Sequence, residues 1–495
     1  MKPLKKLIKD LEIIDFFPKK HRDYFYNLEI KGITENSKEV ESGYIFVARK
    51  GTQFNGEEFI EEAINKGAVV ILKESPIKEV EKFSNVFFIQ VKNIKKALSR
   101  IVLNFYSHPE KELILIGVTG TNGKTSVSYF TKNILNKAGL KTGYIGTIFY
   151  ETDRVIPALE TTPSILKIVS LLKEMVDKNF KACVIEVSSH ALHQDRILGL
   201  TFDIAAFTNL SRDHLDYHQT MESYYQAKKK LFTCYLKPSG KAVVSQETEY
   251  GKRLTKELKP ILKDRLILVN NEKIKAEILD KKNGLFLLVK FGDKEYKIST
   301  QLYGDYQAKN IATLCGILLT LSYKEDQIIS YLKDLKNPLG RLELVTEYKG
   351  AKIFVDYAHT PSALEEVLKS LKSLKDNRLI VVFGCGGNRD KGKRPLMGQV
   401  ASVLADEIIL TSDNPRFEDP LEIIEDIKKG INGSKPYKVI PDRKEALKEA
   451  IKSLKKGDVL VVAGKGHETY QEIKGKRYSF SDQEEVLKII REIGG

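Results

Sequence analysis

Gly120-Thr-Asn-Gly-Lys-Thr-Ser126 follows the apolar run 113–118 and opens an amphipathic stretch over 126–138. Strand, glycine turn and helix start, in that order, make a phosphate cradle. Backbone N–H groups and the positive helix end face an anion, Lys124 adds a cation, and the Thr125 hydroxyl can reach Mg²⁺. The common phosphate-loop pattern has glycine five residues before Gly123, where this chain has Val118; Gly120 supplies the flexible turn instead. The loop predicts nucleotide binding, against the plainer reading of a strand-to-helix turn with an incidental Gly-Lys-Thr.

Other polar clusters also follow apolar runs. Glu186-Val-Ser-Ser-His190 offers a carboxylate suited to Mg²⁺, which prefers oxygen ligands; a serine capping the next helix is the alternative. The segment 209–218 adds His214 and His218 to His190 and His193. Four histidines make zinc conceivable, but the lack of nearby cysteines and the adjacent nucleotide loop favour a magnesium–phosphate role. Lys228, in Ala227-Lys-Lys-Lys230, reads on its own as a solvated helix lysine. Further on, Asp356-Tyr-Ala-His-Thr-Pro361, the glycine- and Lys/Arg-rich 384–395, Asp413-Asn-Pro-Arg416 and Gly464-Lys-Gly-His-Glu468 each end a predicted strand. Four such clusters on one edge of a sheet predict a ligand face.

The elements that must carry these clusters fall into three blocks, 1–109, 110–336 and 337–495. Strands are expected over 44–48, 69–72 and 86–91 in the first, and over 182–187, 202–208 and 241–245 in the second. Polar–apolar alternation over 273–302, with Asn283-Gly284 and Gly292-Asp293, predicts an antiparallel segment, and a helix is expected over 307–321. Asn337-Pro-Leu-Gly-Arg341 reads as a linker. Beyond it strands (352–355, 379–383, 407–410, 437–440, 459–463) alternate with helices, as in a doubly wound sheet. The fold class is α/β in three domains.

The 495 residues are 42% hydrophobic and 30% charged, with net charge +15. Lysines are spread among glutamates with no arginine-rich tail, so the charge reads as a solvated surface able to attract anionic substrates; a nucleic-acid-binding protein is the non-enzyme alternative. No apolar run is long enough for a membrane span, and residues 1–20 read as a surface helix rather than a signal peptide. Four widely spaced cysteines suit a reducing compartment, and a cytoplasmic location is expected.

Together these segments, with Ile33-Thr-Glu-Asn-Ser37, Phe46-Val-Ala48, Thr161-Thr-Pro163 and Gly340-Arg341, resemble the Mur ligases, ATP-dependent peptide-bond formers of cell-wall precursor synthesis. The resemblance covers nearly the whole chain. It implies an N-terminal domain binding a UDP-sugar, a central phosphate-loop ATPase-like domain with a small antiparallel segment, and a C-terminal Rossmann-like domain binding an amino acid. It implies ATP and Mg²⁺ as cofactors. The substrates implied are UDP-N-acetylmuramoyl-L-alanyl-D-glutamate and meso-2,6-diaminopimelate, joined through an acyl phosphate; a monomer is expected.

Carried over residue by residue, Gly120, Thr121, Asn122, Gly123, Lys124, Thr125 and Ser126 would hold the triphosphate, and Asn310, Arg341 and Asp356 the adenosine. Thr125, Glu186, His214 and Lys228 resemble the magnesium shell, Lys228 falling on the lysine that the family carbamylates (N6-carboxylysine); Lys124, Glu186, His214 and Lys228 form the implied catalytic set. Glu35, Ser37, Thr52, Gln53, Phe54, Thr161, Thr162, Ser188, Gln194 and Arg196 resemble the UDP-sugar peptide site. Arg389, Asp413, Asn414, Pro415, Arg416, Gly464 and Glu468 resemble the acceptor pocket. Arg416 offers a bidentate clamp for the second carboxylate of diaminopimelate, and relatives that add lysine typically replace it. A lysine-adding ligase or a folylpolyglutamate synthase-like ligase is the alternative within the family. The chain departs from the pattern in three places: at Gln307 and at Glu160, each where asparagine is frequent, and at the pair Glu35-Asn36 ahead of Ser37.

Overall fold

The computed structural model describes residues 1–495 apart from 21, 52–54, 79, 84, 432, 434 and 495. They group into two compact units, one of residues 1–124, 131–244 and 248–267, the other of 125–130, 245–247 and 268–495.

The first unit begins with a five-stranded sheet of β1 (Ile13–Phe17), β2 (Gly32–Thr34), β3 (Tyr44–Ala48), β4 (Ala68–Lys73) and β5 (Phe87–Val91), in the order β1-β5-β4-β3-β2. All neighbours are parallel except β1 and β5. The expected surface helix over 1–20 is corrected: a single helical turn, Leu4–Leu7, buries both leucines, and 13–17 runs as strand β1. Ile13-Ile14-Asp15-Phe16-Phe17 is β-branched and aromatic, and edge pairing to β5 outweighs its weak helical pattern. Helix α1 (Ile94–Tyr106) is capped by Asn93 and buries Ile94, Leu98, Ile101 and Val102, one face at helical spacing.

Most of an eight-stranded sheet follows: β6 (Ile114–Thr119), β7 (Thr142–Ile145), β8 (Phe149–Glu151), β9 (Val155–Pro157), β10 (Ala182–Glu186), β11 (Phe202–Phe207), β12 (Leu236–Ser245) and β13 (Leu266–Val269). Its order is β9-β8-β7-β10-β6-β11-β12-β13. Strands β7, β10, β6, β11 and β12 are parallel. Val118 pairs with Glu186, and Thr119 with Phe207, so three strand ends finish level and their loops gather at the carboxyl edge. Leu115, Ile116 and Val118 are fully buried, as a central parallel strand requires. Helices α2 (Lys124–Lys137), α3 (Ser189–His193) and α4 (Met221–Thr233) start from those loops or just beyond them.

In the second unit β14 (Ile274–Asp280), β15 (Phe286–Phe291) and β16 (Lys294–Ser299) form the antiparallel ribbon expected over 273–302. Helix α5 (Gln307–Thr320) is buried on nearly every side. The last sheet comprises β17 (Glu343–Tyr348), β18 (Ala351–Asp356), β19 (Leu379–Phe383), β20 (Glu407–Leu410), β21 (Tyr437–Val439) and β22 (Val459–Ala463), in the order β17-β18-β22-β19-β20-β21. It is parallel except for β17, an edge strand that sequence reading missed because it is only half-buried.

Alternate residues of the central strands enter two separate cores. Phe354, Val381, Ile408 and Val461 pack on one face with α6 (Pro361–Lys372), α7 (Lys393–Leu404) and α8 (Pro420–Lys428). Val355, Val382, Ile409 and Val462 pack on the other with α9 (Arg443–Lys452) and α10 (Asp482–Gly494). This is the expected doubly wound arrangement. A short ribbon, β23 (Tyr470–Ile473) and β24 (Lys476–Ser479), lies between β22 and α10 in the chain.

Candidate active site

The glycine loop closes on the strand end beside it. Gly120 has φ +153°, and a Cβ there would meet Thr208 Oγ1 at 1.9 Å, so neither conformation nor space admits a side chain. Asn209 accepts from the amides of Thr121 and Asn122 at 2.9 Å, through its carbonyl and its side-chain oxygen, and Thr208 Oγ1 donates to the Asn122 carbonyl at 2.6 Å. Lys124 Nζ donates to the Gly120 and Thr121 carbonyls, both at 2.9 Å.

Lys228 corrects the bare reading of a solvated lysine. It is 1% exposed, and its Nζ donates to the same Gly120 carbonyl at 2.7 Å. Burial first, and then the Lys124 ammonium, push its pKa well below the usual lysine value, with Asp213 opposing. The lysine run gave no sign of this: α4 turns one of three consecutive lysines inward beside Tyr224, Tyr225 and Leu231.

Glu186 ends β10 fully buried. Its Oε1 accepts from the Thr147 amide at 3.0 Å and from the Tyr144 hydroxyl, and its Oε2 accepts from Thr147 Oγ1 at 2.9 Å. Tyr144 and Thr147, which sequence reading missed, thus hold both oxygens of this carboxylate. His214 lies at the start of a short helix with its ring against that of His190, centroids 4.9 Å apart. Burial lowers the pKa of all three of His190, His214 and His218, to about 4 for His190 and His218. Among the described residues no three His, Cys, Asp or Glu side chains converge to cage a metal.

The sugar-peptide residues of the central block form one network. Arg196 donates to Gln194 Oε1 at 2.7 Å, to the Thr162 carbonyl at 3.1 Å and to Glu160 Oε2 at 2.6 Å. Thr162 Oγ1 donates to the Glu186 carbonyl at 2.7 Å and to Ser188 Oγ at 3.3 Å, and Thr161 and Thr147 hydroxyls are 3.1 Å apart. Ser188 also caps α3, accepting from the Ala191 amide at 3.2 Å, which is the plainer of the two readings given to this segment. Glu160, where the family pattern often has asparagine, is the ion-pair partner of Arg196. In the first sheet, Ser37 donates to Glu62 Oε2 at 2.8 Å, and Glu35 pairs with Arg49 at 2.6 Å. Thr52, Gln53 and Phe54 lie outside the described residues.

In the second unit, Asn310 Nδ2 donates to Gln307 Oε1 at 2.8 Å, while Gln307 Nε2 and Arg341 Nε are buried without a partner. The Arg341 guanidinium lies 4.8 Å from the Tyr357 ring centroid. Asp356 accepts from the Leu342 and Ala358 amides at 2.6 Å each. Burial pushes its pKa up to about 6, with Arg341 and both amides opposing. Buried donors with no protein partner are unusual, which makes both groups candidates for contact with a polar ligand.

The four strand-end clusters of the last sheet meet as expected. Gly464 has φ +114°, and a Cβ would meet Asp413 Oδ2 at 2.5 Å. Asn414 Nδ2 donates to Glu468 Oε2 at 2.8 Å, and Pro415 follows in the turn. Arg416 donates from Nη1 to the Gly387 carbonyl at 2.8 Å and from Nε toward Glu472 Oε2 at 3.3 Å. Arg389 is exposed on the neighbouring loop. Sequence reading missed the brace behind this cluster, the ribbon β23–β24. Gln471 Nε2 donates to the Asp413 carbonyl at 2.7 Å, the Glu472 amide to Asn414 Oδ1 at 2.9 Å, and the Arg416 amide to the Glu472 carbonyl at 3.0 Å.

Known proteins resemble this chain along nearly its whole length. Residues 29–106 match the family model described as Mur ligase family, catalytic domain; 118–318 match Mur ligase middle domain; and 340–466 match Mur ligase, glutamate ligase domain. The chain is 44% identical over 465 residues to the UDP-N-acetylmuramoyl-L-alanyl-D-glutamate–2,6-diaminopimelate ligase of Aquifex aeolicus, covering 93% of this chain and 94% of that one. It is 42% identical to the enzyme of the same name from Clostridium tetani, covering 94% and 96%. A solved structure of a UDP-N-acetylmuramoyl-L-alanyl-D-glutamate–2,6-diaminopimelate ligase superposes with a TM-score of 0.68 at 30% identity, over 100% of this chain and 99% of that one. A glycine loop, a level carboxylate and an acceptor-side cluster thus come with three matching domains in order and sequence identity along nearly the whole length: the chain belongs to the Mur ligase family.

Proposed function

We propose that the protein uses ATP to join meso-2,6-diaminopimelate to the D-glutamate carboxylate of UDP-N-acetylmuramoyl-L-alanyl-D-glutamate, in the cytoplasm, releasing ADP and phosphate. The observation that carries this reading is Arg416. Its guanidinium is fixed by Gly387 and Glu472 at a cluster that also holds Asp413 and Glu468, so both charge signs are presented to one acceptor. An acceptor with a carboxylate and an ammonium at each end suits such a pocket, and the relatives named above carry this substrate in their names.

In this reading residues 1–109 bind the uridine end, through Glu35, Ser37 and 52–54, residues 110–336 the nucleotide, and residues 337–495 the acceptor. Thr161, Thr162, Ser188, Gln194 and Arg196 hold the peptide arm, Asn310, Arg341 and Asp356 the adenosine, and residues 120–126 the triphosphate. The γ-carboxylate of the substrate's D-glutamate attacks the γ-phosphorus, the bond to ADP breaks, and an acyl phosphate forms. The acceptor amine then attacks the acyl carbon and phosphate leaves. Lys124 neutralises charge that develops on the transferred phosphoryl group.

Mg²⁺ suits the residues present, since it keeps water and phosphate oxygens and needs few protein carboxylates. The Glu186 carboxylate, the Thr125 hydroxyl, His214 and a Lys228 carbamate would hold it, and it would supply further neutralisation of phosphate charge. The lowered pKa of Lys228 favours the neutral amine that carbamate formation needs. Its nitrogen bonds to the carbon of CO₂, one C–O π pair moves to oxygen, and a proton is released. Carbon-13-labelled CO₂ should give a carbamate resonance that Lys228→Ala abolishes.

The test of function is phosphate release with ATP, Mg²⁺ and the UDP-linked dipeptide, offering meso-diaminopimelate, L-lysine or L-ornithine. Release with diaminopimelate alone is expected. Release with lysine instead would refute the role given to Arg416, and no release with any acceptor would refute the reaction.

A further inference from the structure

Lys465 is a fully buried lysine with no part in the chemistry above. Gly464 and Gly466, both at positive φ, flank it and turn its side chain under the acceptor cluster. Its Nζ donates to Asn414 Oδ1 at 3.1 Å and lies 3.4 Å from Glu468 Oε2. Asn414 closes the triangle by donating to that same Oε2 at 2.8 Å, so both protein bonds to Glu468 use one carboxylate oxygen. The buried ammonium, together with the Glu472 amide that donates to the same Asn414 Oδ1 at 2.9 Å, thereby orients an amide beside a carboxylate, both in the expected acceptor pocket.

We propose that Lys465 is a positioning residue for acceptor recognition: it holds Glu468 as an oriented anion, with Oε1 left for an acceptor ammonium, and holds Asn414 in register with it. This rests on the acceptor pocket assigned under the proposed function. The electrostatics agree. Burial raises the pKa of Glu468, and Lys465 is the foremost group opposing that rise. The other charged or titratable groups facing Glu468 are Asp413 from the quartet, Tyr357 after β18, Tyr470 on β23 and Arg443 on α9. Of these, Arg443 already spends its charge in a buried pair with Asp482, 2.7 Å away. Without Lys465, Glu468 takes up a proton at higher pH and ceases to attract an ammonium below it.

The experiment compares the protein with Lys465→Met by steady-state kinetics across pH, after thermal melting has shown that the variant folds. The KM for diaminopimelate should rise by roughly tenfold or more, as expected for loss of a charge-assisted contact. The KM values for ATP and for the UDP-linked dipeptide should stay within about twofold, since uniform binding there is untouched. The acid limb of kcat/KM for diaminopimelate should move to higher pH by about one unit. An unchanged acid limb and KM for diaminopimelate, or equal losses for all three substrates, would overturn the proposal. If Lys465→Met does not fold, Lys465→Met combined with Glu468→Gln removes both buried charges. That double variant should fold, raise the same KM and lose the Glu468-dependent limb; an unchanged KM in it would equally overturn the proposal. A parent protein that turns over none of the acceptors would instead refute the proposed function, a result separate from any effect of Lys465.

Discussion

The phosphate loop and the acceptor cluster solve the same problem, holding charge ready for a ligand, in opposite ways. At the loop the charged groups rest on neutral partners. Lys124 and Lys228 donate to backbone carbonyls, and Glu186 accepts from hydroxyls and an amide. At the acceptor cluster two charges are paired with opposite ones, Arg416 with Glu472 and Glu468 with Lys465. Hydrogen bonds to neutral groups aim these charges toward a highly charged phosphate. Ion pairs fix direction at the cost of net field, which suits selection among amino acids of similar charge.

The sharpest way to break this comparison is Lys124→Ala. With the loop cation removed from the phosphoryl path, phosphate release should fall by about a thousandfold or more; near-normal turnover would show that the loop charge is not used. Arg416→Ala should raise the KM for diaminopimelate by about a hundredfold, leaving the ATP KM unmoved, because a bidentate clamp is lost only at the acceptor.

Asp356 extends the contrast to pH. Its pKa is raised to about 6 in the fold, above the ordinary carboxyl value, so the native state holds the proton more tightly than the unfolded chain. Its contribution to stability is therefore full below about pH 4 and is lost as pH rises through about 6. The difference in unfolding free energy between the protein and Asp356→Asn should change across that window by at most about 1.4 kcal/mol per pH unit. A flat difference would show that its surroundings favour the charged form as well as water does.

The smallest effect is expected at Glu160. In the proposed sugar-peptide site it competes with substrate for Arg196, across a partly exposed ion pair. Glu160→Gln should lower the KM for the UDP-linked dipeptide by about two- to threefold with under about 1 kcal/mol of change in stability. A raised KM would mean that Glu160 aims Arg196 rather than competing for it.

Legibility followed locality. The glycine loop, the carboxylate closing β10 and the four strand-end clusters were readable because each is a short contiguous string attached to a periodic run. Edge strand β17, the inward turn of Lys228 and the first strand β1 were not, because what fixes them lies elsewhere in the chain: β18 for the first, the Gly120 carbonyl for the second, β5 for the third.

By itself, then, the sequence determined which residues stand at the strand ends, since hydrophobic periodicity and glycine placement act over a few residues. Which of those residues are charged, paired or free to act was decided by the tertiary structure alone. Burial and long-range partners set the state of Lys228, Glu186, Asp356 and Lys465, and neither is encoded within any window of neighbouring residues.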